Sequence, residues 1–325
     1  MRSIFKNAVS KTLIRTVAST AAALMIVSLP ASSQSEPSKG LAIAILVGDL
    51  GNPFFVEIGR SIEKKAREVA GNNIRVAVSS SGYDVDRQIF QINNFVTEGY
   101  DVLFLSAADT NKVAASVKGA ADHGKVVVAV DVKADGAQAT VTSDNVDAGQ
   151  QACSFMAQQL GGSGSIVILN GPPVSSVLDR VVGCKTALRG HPGIKILSDD
   201  QNAGASFAGG LASMSTLLAQ YGRIDAVFAN NDPSAMGADF AAKQAGRRDF
   251  FIVSVDASPE GVRLMETKDS LLTATVAQDP QMMADRAFSI GYDLFQGKKP
   301  AIDKDVIPVH LVTKENAALF RTWVR

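Results

Sequence analysis

Leu41-Ala42-Ile43-Ala44-Ile45-Leu46-Val47-Gly48-Asp49-Leu50-Gly51-Asn52-Pro53-Phe54-Phe55-Val56-Glu57 is the stretch that decides the fold. Ala42 to Val47 is an unbroken apolar run of strand length, the pattern of a parallel strand covered on both faces by helices. Gly48, Gly51, Asn52 and Pro53 break it. Phe54, Val56, Ile58, Ile62 and Ala66 then recur at the spacing of one helical face, with Glu57, Arg60, Glu63, Lys64 and Lys65 as the polar residues. The unit is strand, turn, helix. In an open α/β sheet ligands bind outside the strand carboxyl ends, which places Asn52, Phe54 and Phe55 at such a crevice.

The unit recurs downstream. Ile74 to Ser79, Val102 to Leu105, Val126 to Asp131 and Ala139 to Thr142 read as strands, with helices over Val85 to Glu98 and Lys112 to Asp122 between them. Ser143, Asp144 and Asn145 then open a helix running to about Leu160, read as the first crossing between domains. A second series follows: Ser165 to Leu169, Ile194 to Leu197, Ala226 to Ala229, Phe251 to Val255 and Leu272 to Val276. Such alternation predicts doubly wound parallel sheets with right-handed crossovers. Pro280 to Phe295 reads as an amphipathic helix, and Val306 to Val312 as one last apolar segment before a short helical remnant. The expectation is an α/β protein of two Rossmann-like lobes.

At 325 residues, with 46% hydrophobic and 20% charged residues, the chain is long enough for two cores. The formal net charge is zero and no block of like charge occurs, which argues against nucleic acid or an anionic membrane surface as the main partner. Arg2, Lys6, Lys11 and Arg15 precede an apolar run from Val17 to Leu29, then Pro30 and the small residues Ala31, Ser32 and Ser33. The run is shorter than the roughly 20 residues of a spanning helix, so residues 1–33 are read as a signal peptide cleaved after Ser33. The mature chain is expected to be exported and soluble. Cys153 and Cys184 both fall in segments read as helix. They are read as two small buried residues, with a bridge left open because sequence does not give the distance between their alpha carbons.

Reaction chemistry is sparse. His123, His191 and His310 lack metal-ligand spacing and read as surface or loop residues; no Gly-x-Ser-x-Gly elbow and no phosphate-binding Walker loop is present. Gly161, Gly162 and Gly164 precede a strand and suit a helix-to-strand turn. What recurs is a polar residue at a strand's end: Asn52, Asp131, Asn145, Asn231 with Asp232, Asp256 and Gln278. Each alone can be a cap or turn residue. Six on one edge offer the donors and acceptors that grip a neutral polyhydroxylated ligand.

With these residues in view, the mature chain resembles the periplasmic sugar-binding proteins of bacterial ABC importers, ribose-binding type, whose fold is shared by lactose-repressor-like ligand domains. The resemblance rests on Asn52-Pro53-Phe54-Phe55, Ser143-Asp144-Asn145-Val146, Arg180 with Gly183, Phe228-Ala229-Asn230-Asn231-Asp232 with Ala235-Met236-Gly237, Val255-Asp256 with Pro259-Glu260-Gly261, and Thr275-Val276-Ala277-Gln278. It implies two lobes, 40–143 plus 279–308 and 144–278 plus 309–325, joined by three hinge crossings around a sugar. By position, Phe54 and Phe55 stack on the ring, helped by Asn52 and Asp131, while Asn145, Arg180, Asn231, Asp256 and Gln278 bond hydroxyls. Val132 stands where that pattern has an arginine after its aspartate. Ala205 stands near where it has an aromatic, and Cys184 where phenylalanine is common. The first two departures favour a pentose other than ribose, a hexose, a polyol or a partly deoxygenated sugar.

The function implied is a periplasmic, monomeric binding protein that captures a monosaccharide or polyol and delivers it to an ABC permease, without cofactor, metal or catalysis. The closed form can equally be read by a chemoreceptor. A DNA-binding regulator on this fold needs a helix-turn-helix ahead of Gly40, where the chain carries an export signal. A secreted carbohydrate-active enzyme needs a nucleophile, base or metal set, for which no coherent candidate is found.

Overall fold

The computed structural model describes residues 40–299, 302–320 and 323. The expected signal peptide lies outside them, as do 300, 301, 321, 322, 324 and 325 of the two expected lobes.

The chain builds two six-stranded sheets. The first holds β1 (Ala42–Val47), β2 (Arg75–Ser80), β3 (Val102–Leu105), β4 (Val126–Val130) and β5 (Ala139–Ser143), with α1 (Pro53–Ala70), α2 (Val85–Thr97) and α3 (Ala114–Asp122) in the crossovers. The second lobe runs α4 (Asn145–Gln159), β6 (Ser163–Asn170), α5 (Ser175–Leu188), β7 (Gly193–Asn202), α6 (Phe207–Gln220), β8 (Ala226–Ala229), α7 (Asp232–Gln244), β9 (Phe251–Asp256), α8 (Pro259–Glu266) and β10 (Leu272–Ala277). Then α9 (Pro280–Phe295) returns to pack on α1 and the first sheet. The tail adds β11 (Lys304–Ile307) to the first sheet and β12 (His310–Thr313) to the second.

Strand order is β2-β1-β3-β4-β5-β11 in one sheet and β7-β6-β8-β9-β10-β12 in the other. The two lobes therefore share one winding, each with its order reversing at the strand that opens the lobe, and that reversal creates the crevice. The run Val306 to Val312 is two strands in different sheets, separated by Pro308 and Val309. Of the strand pairs, only β12 with β10 is antiparallel among the described residues. The chain thus passes between the sheets three times: after β5, after β10 and after β11.

Both faces of β1 are apolar for a reason visible in the packing. Ile43, Ile45 and Val47 enter a cluster with Phe54, Ile58, Ile62 and Phe288, while Ala42, Ala44 and Leu46 enter another with Ile92, Leu103 and Val117. Asn52 caps α1, its side-chain oxygen accepting from Phe54 N at 3.0 Å, and Pro53 occupies the first helical position, where its missing N–H costs nothing. Phe54, Phe55, Ile58, Ile62 and Ala66 form the inward face. Val56 is 40% exposed, so Phe55 takes the inward place that its spacing assigned to Val56.

In the second lobe α4 and α5 approach backbone to backbone. A Cβ on Gly149 would stand 1.9 Å from Arg180 O, and one on Gly183 would stand 1.9 Å from Val146 O. The same pair is bridged by a disulfide between Cys153 and Cys184, whose alpha carbons are 4.9 Å apart. The reading of two unbonded buried cysteines is thereby corrected: facing positions on two closely packed helices bring together residues 31 apart in sequence.

Candidate ligand-binding site

The carboxyl edges of the two sheets face each other across a cavity. Asn52, Phe54, Phe55, Tyr83 and Asp131 line it from one side; Val174, Ser176, Val177, Arg180, Ala205, Asn230, Asn231, Asp256 and Gln278 line it from the other. The space left free between these walls is only about 20 Å³, room for about one water molecule, so the two lobes stand nearly closed on each other. Eight of the nine residues expected from sequence meet here.

Asn145 is the ninth, and it stands behind the wall. Its amide nitrogen donates to Thr142 Oγ1 and Ser143 O, and its oxygen accepts from Arg180 Nε at 2.9 Å. The structure does not bring Asn145 into the cavity lining with the other eight; its bonds go to the strand end and to the guanidinium it aims. Arg180 also donates through Nη1 to Asn230 O at 2.8 Å, and the same nitrogen lies 4.0 Å from Asp256 Oδ1. Asn231 lines the cavity, yet its oxygen caps α7 at Ser234 N and its nitrogen donates to Ala205 O. Asn52 likewise serves as a cap, with its amide nitrogen left over.

Sequence reasoning missed Asn230, Tyr83, Ser176 and the two valines. Asn230 is fully buried, and neither its amide oxygen nor its nitrogen has a protein partner. Asp131 Oδ1 and Gln278 Oε1 are buried without partners as well. Unsatisfied buried polar atoms are rare in folded proteins, so four on three residues of one cavity mark groups held ready for something else. Consecutive strand-end amides gave the one signal for Asn230. Which of Asn230 and Asn231 turns inward is a matter of register.

The backbone bends to present these groups. Tyr83 (φ +60), Asp131 (φ +66), Ala205 (φ +52) and Asp256 (φ +132) line the cavity in conformations that side chains rarely adopt, and Ala257 (φ +49) follows directly. Such outliers each cost on the order of 1–3 kcal/mol and collect at functional sites. Tyr83 also explains Gly48, where a Cβ would meet the Tyr83 ring at 2.5 Å. The aromatic absent at Ala205 is matched by this third ring, in the opposite lobe.

Electrostatics follow from burial. Asp232 is completely buried behind Asp256 and accepts from Ser254 Oγ, Ser258 N, Ser258 Oγ and Thr275 Oγ1. Burial raises its carboxyl above the usual range, against those donors. Asp256 is pushed up to about 8 by burial and by the Asp232 charge, opposed by Arg180 and by the bond from Gln278 Nε2. Burial pushes Asp131 up to about 6, opposed by Arg180 and Ser176. Tyr83 is raised by burial and then by the Asp131 charge. An arrangement of fixed donors and acceptors among aromatic walls suits a polar ligand.

Trp323 packs behind Phe54 and Asp256, outside the lining itself. Its ring meets Phe54 edge-on at 5.8 Å, its indole N–H donates to Asp256 O at 3.3 Å, and its carbonyl accepts from Gln281 on α9.

Residues 43–299 match the periplasmic binding protein domain family. The chain is 31% identical to the ribose import binding protein RbsB of Bacillus subtilis over 82% of this chain and 86% of that one. It is 29% identical to a xylitol-binding protein of Mycolicibacterium smegmatis over 85% of this chain and 82% of the relative. Among solved structures, an ABC transporter solute binding protein from Mycobacterium smegmatis with bound glycerol superposes with a TM-score of 0.80, at 24% identity, covering 86% of this chain and 96% of that one. The winding of both lobes, the three crossings and the cavity between the sheets have one reading: the chain belongs to the periplasmic binding protein family.

Proposed function

We propose that this protein captures a monosaccharide or a polyol of similar size between its lobes and hands it to a membrane ABC permease. The observation that carries this reading is the set of orphaned buried atoms on Asp131, Asn230 and Gln278, set among Phe54, Phe55 and Tyr83. Aromatic faces pack on the C–H side of a sugar ring, and buried polar atoms bond its hydroxyls. The names of the relatives, ribose import and xylitol binding, support the same chemistry. In this reading Asn52, Phe54, Phe55, Asp131, Arg180, Asn231, Asp256 and Gln278 contact ligand, and Asn145 positions Arg180.

The moving bodies are 40–143 with 279–308 and 144–278 with 309–325. The ligand drives closure because it touches both, which gives the closed state the higher affinity. The protein works as a monomer in the periplasm after loss of residues 1–33, and it releases its ligand unchanged. A thermal-shift panel of pentoses, hexoses, furanoses and polyols tests the assignment, since a ligand at 100 times its dissociation constant stabilises by ~2.7 kcal/mol. A raised melting temperature with chemically unchanged ligand is expected. A panel without any stabilising member overturns it.

A further inference from the structure

The cavity does not balance its charge. Its lining holds two carboxylates, Asp131 and Asp256, and one cation, Arg180; the third buried carboxylate, Asp232, lies directly behind Asp256. Arg180 is committed to the second lobe, to Asn145, Asn230 and the Asp256 side. Lys133, the nearest lysine in sequence to Asp131, pairs with Asp179 at 3.0 Å. Val132 points into the apolar core of the first lobe and brings no charge. Even if Asp232 and Asp256 share one proton, two negative charges remain in the cavity wall and behind it, and Arg180, which acts on both Asp131 and Asp256, is a single positive charge against them.

Asp131 has few partners of its own. It is 4% exposed, its Oδ1 has no protein partner, and its Oδ2 has only a 3.5 Å contact from Ser176 Oγ. A left-handed backbone, φ +66, sets it at the cavity wall. Burial lifts its carboxyl only to about 6, so it remains mostly an anion at neutral pH. Three aromatic rings, Phe54, Phe55 and Tyr83, line the same cavity. A neutral polyol donates hydrogen bonds to such a carboxylate but leaves its charge buried and uncompensated, which is the costly arrangement. A carboxylate among aromatic faces is the recognition set for an ammonium group.

Building on the sugar-binding reading of this cavity, we propose that its preferred ligand is an amine-bearing polyol, an amino sugar or amino-cyclitol whose protonated amine pairs with Asp131 Oδ1. The ring hydroxyls then meet Arg180, Asn230, Asp256 and Gln278, so one face of the ligand is cationic and the other neutral.

Calorimetric titration at pH 7 with D-glucosamine, D-galactosamine, D-mannosamine, D-glucamine and an amino-inositol, each against its hydroxyl parent and its N-acetyl derivative, tests this. At least one amine is expected to bind tenfold or more tightly than both of its uncharged counterparts. In Asp131→Asn the ratio of amine to parent is expected to fall to about one. Because that variant can misfold, the wild-type protein gives a second readout: the preference fades as pH rises through the pKa of the ligand's own amine. If a neutral parent binds as tightly as every amine, the proposal is overturned while the carbohydrate reading stands. If neutral and amine members all fail to bind, both fall.

Discussion

Arg180 Nη1 stands 4.0 Å from Asp256 Oδ1, with both side chains buried, and only Asn145 and the Asn230 carbonyl hold the guanidinium there. Hydrogen bonds to charged groups are worth roughly 1.5–3 kcal/mol each. Arg180→Ala removes the one cation of the wall and leaves two buried carboxylates facing each other's field. Ligand affinity is expected to fall at least tenfold by calorimetry, whereas Asn145→Ala, which loosens the aim and keeps the charge, costs a few-fold. Equal losses would show that Asn145 contacts ligand itself.

Burial pushes Asp131 up to about 6, and burial with the Asp232 charge pushes Asp256 up to about 8, against about 3.9 for an unperturbed aspartate. Arg180 acts on both, Asp232 on Asp256, and Tyr83 feels the charge of each. A raised carboxyl makes the folded state hold protons that the unfolded chain has released. Its stabilising effect is complete below about pH 4 and is lost as pH rises through 6 and then 8. The ligand-free protein is therefore expected to lose thermal stability between pH 4 and 8, and Asp131→Asn to flatten the lower half of that window. About two pKa units at Asp131 correspond to an upper bound near 3 kcal/mol. Parallel slopes in variant and wild type would refute the assignment.

How much of this was legible in the sequence depended on whether the signal was local. Leu41–Glu57 was readable because a strand buried on both faces, a cap and Pro53 are all short-range features. The phase of α1 was harder, since Phe55 and Val56 differ only by a rotation that the lobe core decides. The split of Val306–Val312 was hidden because both halves are apolar and the crossing at Pro308 is set by which sheet edge each half meets. Tyr83 gave no periodic signal, being a turn residue with positive φ. Asn145 was distinguishable from a direct contact only through the bond that Arg180 makes to it in three dimensions, and the orphaned side chain of Asn230 only through the packing around it.

Gly183 follows Arg180 on α5 at a place where a methyl would collide with Val146 O. Gly183→Ala must separate α4 from α5 and so move Arg180 relative to Asn145. Overpacking costs typically 1–3 kcal/mol. A lower melting temperature and a tenfold or larger loss of ligand affinity are expected, although residue 183 does not line the cavity. Unchanged binding in a folded variant would uncouple helix spacing from the site.

The Cys153–Cys184 bridge closes a loop over a separation of 31 residues, for which chain entropy gives about 3–4 kcal/mol in the usual model. Cys153→Ala with Cys184→Ala, or reduction of the native protein, should lower the melting temperature by several degrees, at roughly 2–4 °C per kcal/mol for a lobe of this size. Ligand affinity should change little, because glycine contacts already hold α4 on α5. A melting curve insensitive to reductant would show that the thiols are not bonded in solution.

Trp323 is the chain's single tryptophan, 9% exposed, and it touches both sides of the cleft: Phe54 and Gln281 on one lobe, the Asp256 carbonyl on the other. Opening of the lobes must break one of these sets, and the indole then gains water. Ligand titration is expected to shift its emission to shorter wavelength, with a midpoint matching calorimetry. Trp323→Phe keeps the packing on Phe54 and loses the N–H bond to Asp256 O, a bond worth about 1 kcal/mol, so affinity should drop a few-fold. Trp323→Ala also removes support from the Phe54 wall and should cost more. If emission stays constant while calorimetry records saturation, the contacts of Trp323 survive opening, and the hinge must run elsewhere than between Phe54 and Asp256.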